Sequence, residues 1–182
     1  YGEVVWAEFA SNSSIRDRYY DNDATKTDVS SYLKGTYTLD KLTFYGDIQF
    51  RHIDYAFLGV DDFQGTLEEV DQRAQYNFIN PKAGLMYRFN YLSNVYASVA
   101  VANREPVRDD FRENTPENRP EPEQLINTEI GYRYNSNRLF AKANAYHMYY
   151  NNQLILTGQI NDVGGYTRTN VDKSYRLGLE LE

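Results

Sequence analysis

Two histidines, His52 and His147, are the residues of this chain best suited by type to hold a transition metal, and the sequence keeps them 95 positions apart. Neither has a second histidine or a framing carboxylate at a ligand spacing, so metal or haem ligation is the weaker reading, and each is expected where a strand reaches an interface. Five acids close together, Asp61, Asp62, Glu68, Glu69 and Asp71, offer the oxygen ligands that Ca²⁺ takes. They lack the calcium-loop spacing and its turn glycine, and read better as a solvated loop. The cluster Arg104, Arg108, Arg112 and Arg119 with Asp109, Asp110 and Glu113 is able to attract an anionic chelate. Its plain alternative is an ordered, mixed-charge loop. Phe63 and Tyr166, with Tyr19 and Tyr20, are loop aromatics placed to touch a ligand. Phe63, Arg104, Arg108, Arg112 and Tyr166 are therefore the ligand-contact candidates. No nucleophile motif, phosphate loop or zinc motif is present, and no catalytic, cofactor or metal residue is assigned. The expectation is a protein that is not an enzyme.

These residues must be positioned by strands. In Ser174–Glu182, Tyr175, Leu177, Leu179 and Leu181 fall on one side of an extended chain, and Arg176, Gly178, Glu180 and Glu182 on the other. Strand side chains alternate with a period of two. The pattern recurs near 26–38, where Val29, Leu33 and Tyr37 oppose Asp28, Tyr32 and Lys34. It recurs near 42–57, where Leu42, Phe44, Ile48 and Phe50 oppose Tyr45, Asp47, Gln49 and Arg51. Further strands are expected near 3–10, 76–89, 94–104, 125–134 and 138–157, which makes about eight with the last. Short turns are expected at 39–41, 90–93 and 135–137, and long loops near 11–25, 58–75, 105–124 and 158–172.

Composition narrows the class. Nineteen Lys plus Arg against 26 Asp plus Glu give a net charge of −7, with no basic run to meet a nucleic-acid backbone. The absence of cysteine removes disulfide frameworks and thiolate metal sites. No apolar run approaches the 18–20 residues of a membrane helix, which leaves a barrel open, since only alternate barrel residues meet lipid. Eighteen tyrosines among 182 residues suit both strands and membrane interfaces. Strands of 10–15 residues, short turns on one side and long loops on the other point to an all-β antiparallel meander forming a segment of transmembrane β-barrel wall. A soluble sandwich that presents aromatics to carbohydrate, and a passive outer-membrane channel, are the alternatives.

Three segments carry a resemblance: Asn80-Pro81-Lys82-Ala83-Gly84-Leu85 with Tyr87; Tyr96 through Asn103-Arg104-Glu105-Pro106, continuing Arg108-Asp109-Asp110; and Pro120-Glu121-Pro122-Glu123-Gln124-Leu125 through Glu129, Gly131 and Tyr132. In order and spacing this resembles the barrel of TonB-dependent outer-membrane receptors, particularly the Bacteroidetes kind, over roughly residues 25–182. The resemblance implies a barrel of about 22 strands around a plug. It also implies an energy-transducing inner-membrane partner and a small-molecule or oligosaccharide ligand, with a ferric siderophore favoured. The location implied is the Gram-negative outer membrane, with lipid against one face and no nucleic-acid partner. Residues 1–182 show no plug, no energy-coupling box and no closing aromatic strand, so they read as part of such a barrel domain. The charged residues Asp47, Arg51, Glu129, Arg133, Arg176 and Glu180 are then expected to line the lumen.

Overall fold

The computed structural model describes residues 20–63, 66–69, 71–108, 110, 119–160 and 166–182. Eight strands account for most of them: β1 (Tyr20–Leu39), β2 (Leu42–Phe63), β3 (Thr66–Glu69), β4 (Gln72–Arg88), β5 (Ser93–Arg104), β6 (Glu123–Asn135), β7 (Phe140–Ile160) and β8 (Tyr166–Leu181). Their order is β1-β2-β4-β5-β6-β7-β8, an antiparallel meander, with β3 folded back on β2. The all-β expectation holds. The strand expected at 3–10 lies outside the described residues.

The described strands divide between two compact units. The larger, 29–52 and 77–182, carries the two-faced pattern. Register joins its apolar residues into rows that cross five strands, as in Leu85–Ala97–Ile130–Ala145–Leu179. One residue along each strand lies the row Met86–Tyr96–Gly131–Asn144–Glu180, on the opposite face. The apolar rows stay uncovered: Leu177, Leu179 and Leu181 are 73%, 66% and 75% exposed. A sandwich would bury such a ridge under a second sheet. Among the described residues of the larger unit there is a single layer.

Each short turn has its own fastening. Asp40 takes φ 51°, a left-handed conformation that Asp tolerates better than most residues. Asn90 Oδ1 accepts from the backbone N–H of Leu92 (2.8 Å) and Ser93 (3.0 Å). Ser136 Oγ accepts from Leu139 N–H at 3.1 Å. Such side-chain acceptors stand in for ladder carbonyls where the chain reverses.

The smaller unit includes the rest of β2 from Ile53, β3 and the start of β4. Ile53 and Phe57 are fully buried there. Its backbone corrects an expectation. The described residues among 58–75 are mostly strand: β2 runs on to Phe63, and β3 returns in register through Val60↔Glu69 and Phe63↔Thr66. The acids that suggested a loop are compatible with a strand, because ladder bonds use the backbone alone. The loop expected at 158–172 likewise contracts, since β7 reaches Ile160 and β8 begins at Tyr166.

Candidate functional site

The apolar face of the larger unit ends along one line. Beyond Val101, Ile126, Tyr149 and Tyr175, the next residues on the same side of β5 to β8 are Asn103, Gln124, Asn151 and Lys173, which stand in register. Their amides form a chain. Asn151 Nδ2 donates to Gln124 Oε1 (3.2 Å), Gln124 Nε2 to Asn103 Oδ1 (3.1 Å), and Asn103 Nδ2 to Asn80 Oδ1 (2.9 Å). Asn80 Nδ2 continues to Gln49 Oε1 at 3.1 Å on the polar side of β4 and β2, so the belt itself spans β5 to β7 and its hydrogen-bond chain passes on to the other face. At its β4 crossing Pro81 has no N–H to give the ladder. Beside it the Asn103 backbone N–H donates to Asn80 Oδ1, at 3.0 Å. On β2 and β4, His52 Nδ1 meets Asn77 Oδ1 at 2.8 Å, one step past Phe50 and Ile79.

His52 therefore stands at the edge of the apolar face, as its place in the sequence suggests. His147 does not. Register puts it between Thr128 and Leu177, two rows inside that face, with its ring 6.2 Å from that of Tyr175. Spacing alone hid this, because β7 runs far past the belt. Among the described residues no cluster of His, Asp or Glu is arranged to hold a metal ion.

The segment after β5 turns toward the polar side. Glu105, 10% exposed in its side chain, takes both guanidinium arms of Arg51, at 2.9 and 3.1 Å. Two parallel N–H donors matched to two carboxylate oxygens make this the strongest geometry an ion pair offers. Asp110 is buried and lies 3.9 Å from Arg168 of β8. It also accepts from the Val107 N–H (2.7 Å), while its own N–H donates to the Val107 carbonyl (3.0 Å), closing a tight turn. Residues 105–110 are thus tied to β2 at one end and β8 at the other. The chain returns through Glu121, whose carboxylate accepts from Asn152 Nδ2 at 2.7 Å, and Glu123, which accepts from the Leu154 N–H at 2.9 Å.

Beneath the Arg51–Glu105 pair the polar face holds a hollow of about 370 Å³, lined by Lys34, Asp47, Gln49, Asn80, Lys82 and Ala100 among others. Along the wall, Arg176 stands 5.3 Å above the Tyr150 ring.

The ligand-contact candidates are scattered. Arg104 ends β5 opposite Glu123 and is exposed, and Arg108 lies in the turn after Pro106. Tyr166 opens β8, in register with Ile160, and Phe63 pairs with Thr66 at the β2–β3 reversal of the smaller unit. Arg112 lies outside the described residues. What reasoning from sequence missed is the belt and the hollow. The signal was present: Asn continues the apolar alternation at its end on β5 and β7, and Gln124 stands at its start on β6.

The chain spans roughly a quarter of the length of the solved proteins it resembles. A copper transporter, OprC, shares its fold with a TM-score of 0.74 at 14% identity, over 87% of this chain and 26% of that one. The ferric yersiniabactin uptake receptor FyuA from Yersinia pestis aligns with a TM-score of 0.68 at 18% identity, over 88% and 24%. The ferric citrate transporter FecA, in its unliganded form, aligns with 0.67 at 23% identity, over 93% and 24%. Among curated proteins, none matches the chain. The family model for TonB dependent receptor-like β-barrels matches residues 4–182, and the chain belongs to that family of the Gram-negative outer membrane.

Proposed function

We propose that this chain forms barrel wall in an energy-coupled outer-membrane importer of a scarce nutrient, a ferric siderophore or similar metal chelate. The observation that carries this reading is the height of the apolar face. From Tyr134 to Gln124 on β6 is ten residues, about 33 Å of strand at ~3.3 Å per residue. Tilted by about 40°, that covers ~25 Å, the height of the apolar band on an outer-membrane barrel. The apolar rows face lipid, the amide belt marks where hydrocarbon ends, and the polar face lines the passage. The similar structures named above are a copper transporter, a ferric yersiniabactin uptake receptor and a ferric citrate transporter, which supports a metal chelate as cargo. Energy would come from an inner-membrane transducing partner acting on parts of the protein beyond this chain, and the role is transport, not catalysis.

The test is uptake of radiolabelled ferric chelates by cells with and without the full-length gene. The reading expects uptake that needs both the gene and the proton-motive force. Uptake unchanged by deletion across a panel of siderophores, ferric citrate and haem would overturn the proposal.

A further inference from the structure

The hollow on the polar face holds more positive charge than its surroundings neutralise. Lys34 and Lys82 both line it, and among the described residues neither makes an ion pair. Counted out from the Thr38–Thr43 hydroxyl contact (3.2 Å), Lys34 stands level with Asp47, because each lies four residues from its partner in that contact. Asp47 is thus the single acid in the lining, against two ammonium groups, and its carboxylate lies beyond ion-pair distance of both. The hydrogen-bonded Gln49–Asn80 amide pair also lines it. Tyr32, Pro81, Ala100 and Val101 complete the lining. One step further along β2 on the same face, Arg51 is paired with Glu105.

We infer that this hollow is a binding station for a carboxylate-bearing anion. The anion meets it on the polar face. Each ammonium offers three N–H donors on a flexible stem, and donors of this kind bind carboxylate by short charge-assisted bonds. Two of them lining one hollow suit a compact polycarboxylate. A free metal cation would be repelled, and a neutral sugar would leave both charges unanswered. The inference rests on the import reading and narrows it, since it makes the cargo an anionic chelate with exposed carboxylates.

The probe is citrate, added to the purified full-length protein, with acylation of Lys34 and Lys82 by an amine reagent followed by mass spectrometry. At ten times its Kd, citrate should slow labelling of both lysines about tenfold. Sodium chloride at equal ionic strength, and glycerol, should not. Asp47→Asn should tighten citrate protection about threefold, because it removes the one repelling charge; a merely structural role for Asp47 predicts no gain. The inference is overturned if citrate leaves both labelling rates unchanged, if salt protects equally well, or if the lysines resist acylation without citrate. Failure of the import reading is distinguishable: it appears as chelate uptake that does not need the gene, whatever citrate does to the two lysines.

Discussion

Tyr96 lies over Gly131, its partner across the β5–β6 ladder, and its hydroxyl donates to Asn144 Oδ1 on β7 at 2.9 Å. One side chain thus ties three strands together. A Cβ on Gly131 would overlap the tyrosine ring. The same arrangement recurs where Tyr146 covers Gly178 and where Tyr45 covers Gly84. Glycine weakens a strand when it stands alone, and a cross-strand aromatic restores the lost contact.

The relationship fixes the cost of two substitutions. Gly131→Ala should destabilise the full-length protein by about 1–3 kcal/mol, because the ring must leave its place. Tyr96→Phe keeps the ring and loses one hydrogen bond, for about 1 kcal/mol. Thermal unfolding in detergent should rank them in that order. Equal stability of wild type and Gly131→Ala would show that the ring has free space to move.

Replacing Glu105 by Gln leaves the Arg51 guanidinium partly buried beside a weaker acceptor. A loss of about 2–3 kcal/mol is expected, and it should act on residues 105–110 before the strands. Limited proteolysis within 105–122 should accelerate in Glu105→Gln and in Arg51→Met alike. The double variant should lose little more than either single one, since the two side chains act as one unit.

Asn80 accepts from the Asn103 backbone N–H beside Pro81. Asn80→Ala should leave that part-buried donor without its protein acceptor, at a cost of about 1 kcal/mol. Hydrogen exchange should speed up at Asn103 and leave Val99 unchanged. Uniform acceleration along β5 would mean that the side chain serves the sheet as a whole and not this one donor.

Charge on the two faces should have unequal effects. Ile130→Arg places a cation at the centre of the apolar rows, and about 2–4 kcal/mol should be lost in lipid vesicles. Asn151→Arg, at the belt, should cost about 0–1 kcal/mol. Denaturant titration of the refolded full-length protein separates the two cases.

Much of this was legible in the sequence, for identifiable reasons. A period of two is forced on any strand, so Leu177, Leu179 and Leu181 announced a shared face before any coordinates did. The turns at Asn90 and Ser136 were legible because their side chains supply the acceptors the backbone lacks there, and the turn at Asp40 because Asp tolerates a left-handed backbone. The reach of β2 to Phe63 was not, because acids and Gly59 mimic a loop while the ladder is indifferent to side chains. His147 was misplaced for a related reason: depth in a membrane depends on register across strands, which no single strand reports. The hollow stayed hidden because Lys34 and Lys82 are 48 positions apart and meet only through the pairing of β1, β2 and β4. The motif segments marked a family from their spelling alone. Only the structure shows that Asn80, Asn103 and Gln124, one from each segment, are linked in a single amide chain.

The most direct measurement uses the absence of cysteine in this chain. Single cysteines are placed in turn at Arg176, Leu177, Leu179 and Glu180 of the full-length protein in bilayers. Each carries a fluorophore, and quenching by a lipid-dissolved quencher is recorded. The account predicts strong quenching at 177 and 179 and little at 176 and 180. Equal quenching at all four positions, or the reverse alternation, would contradict it.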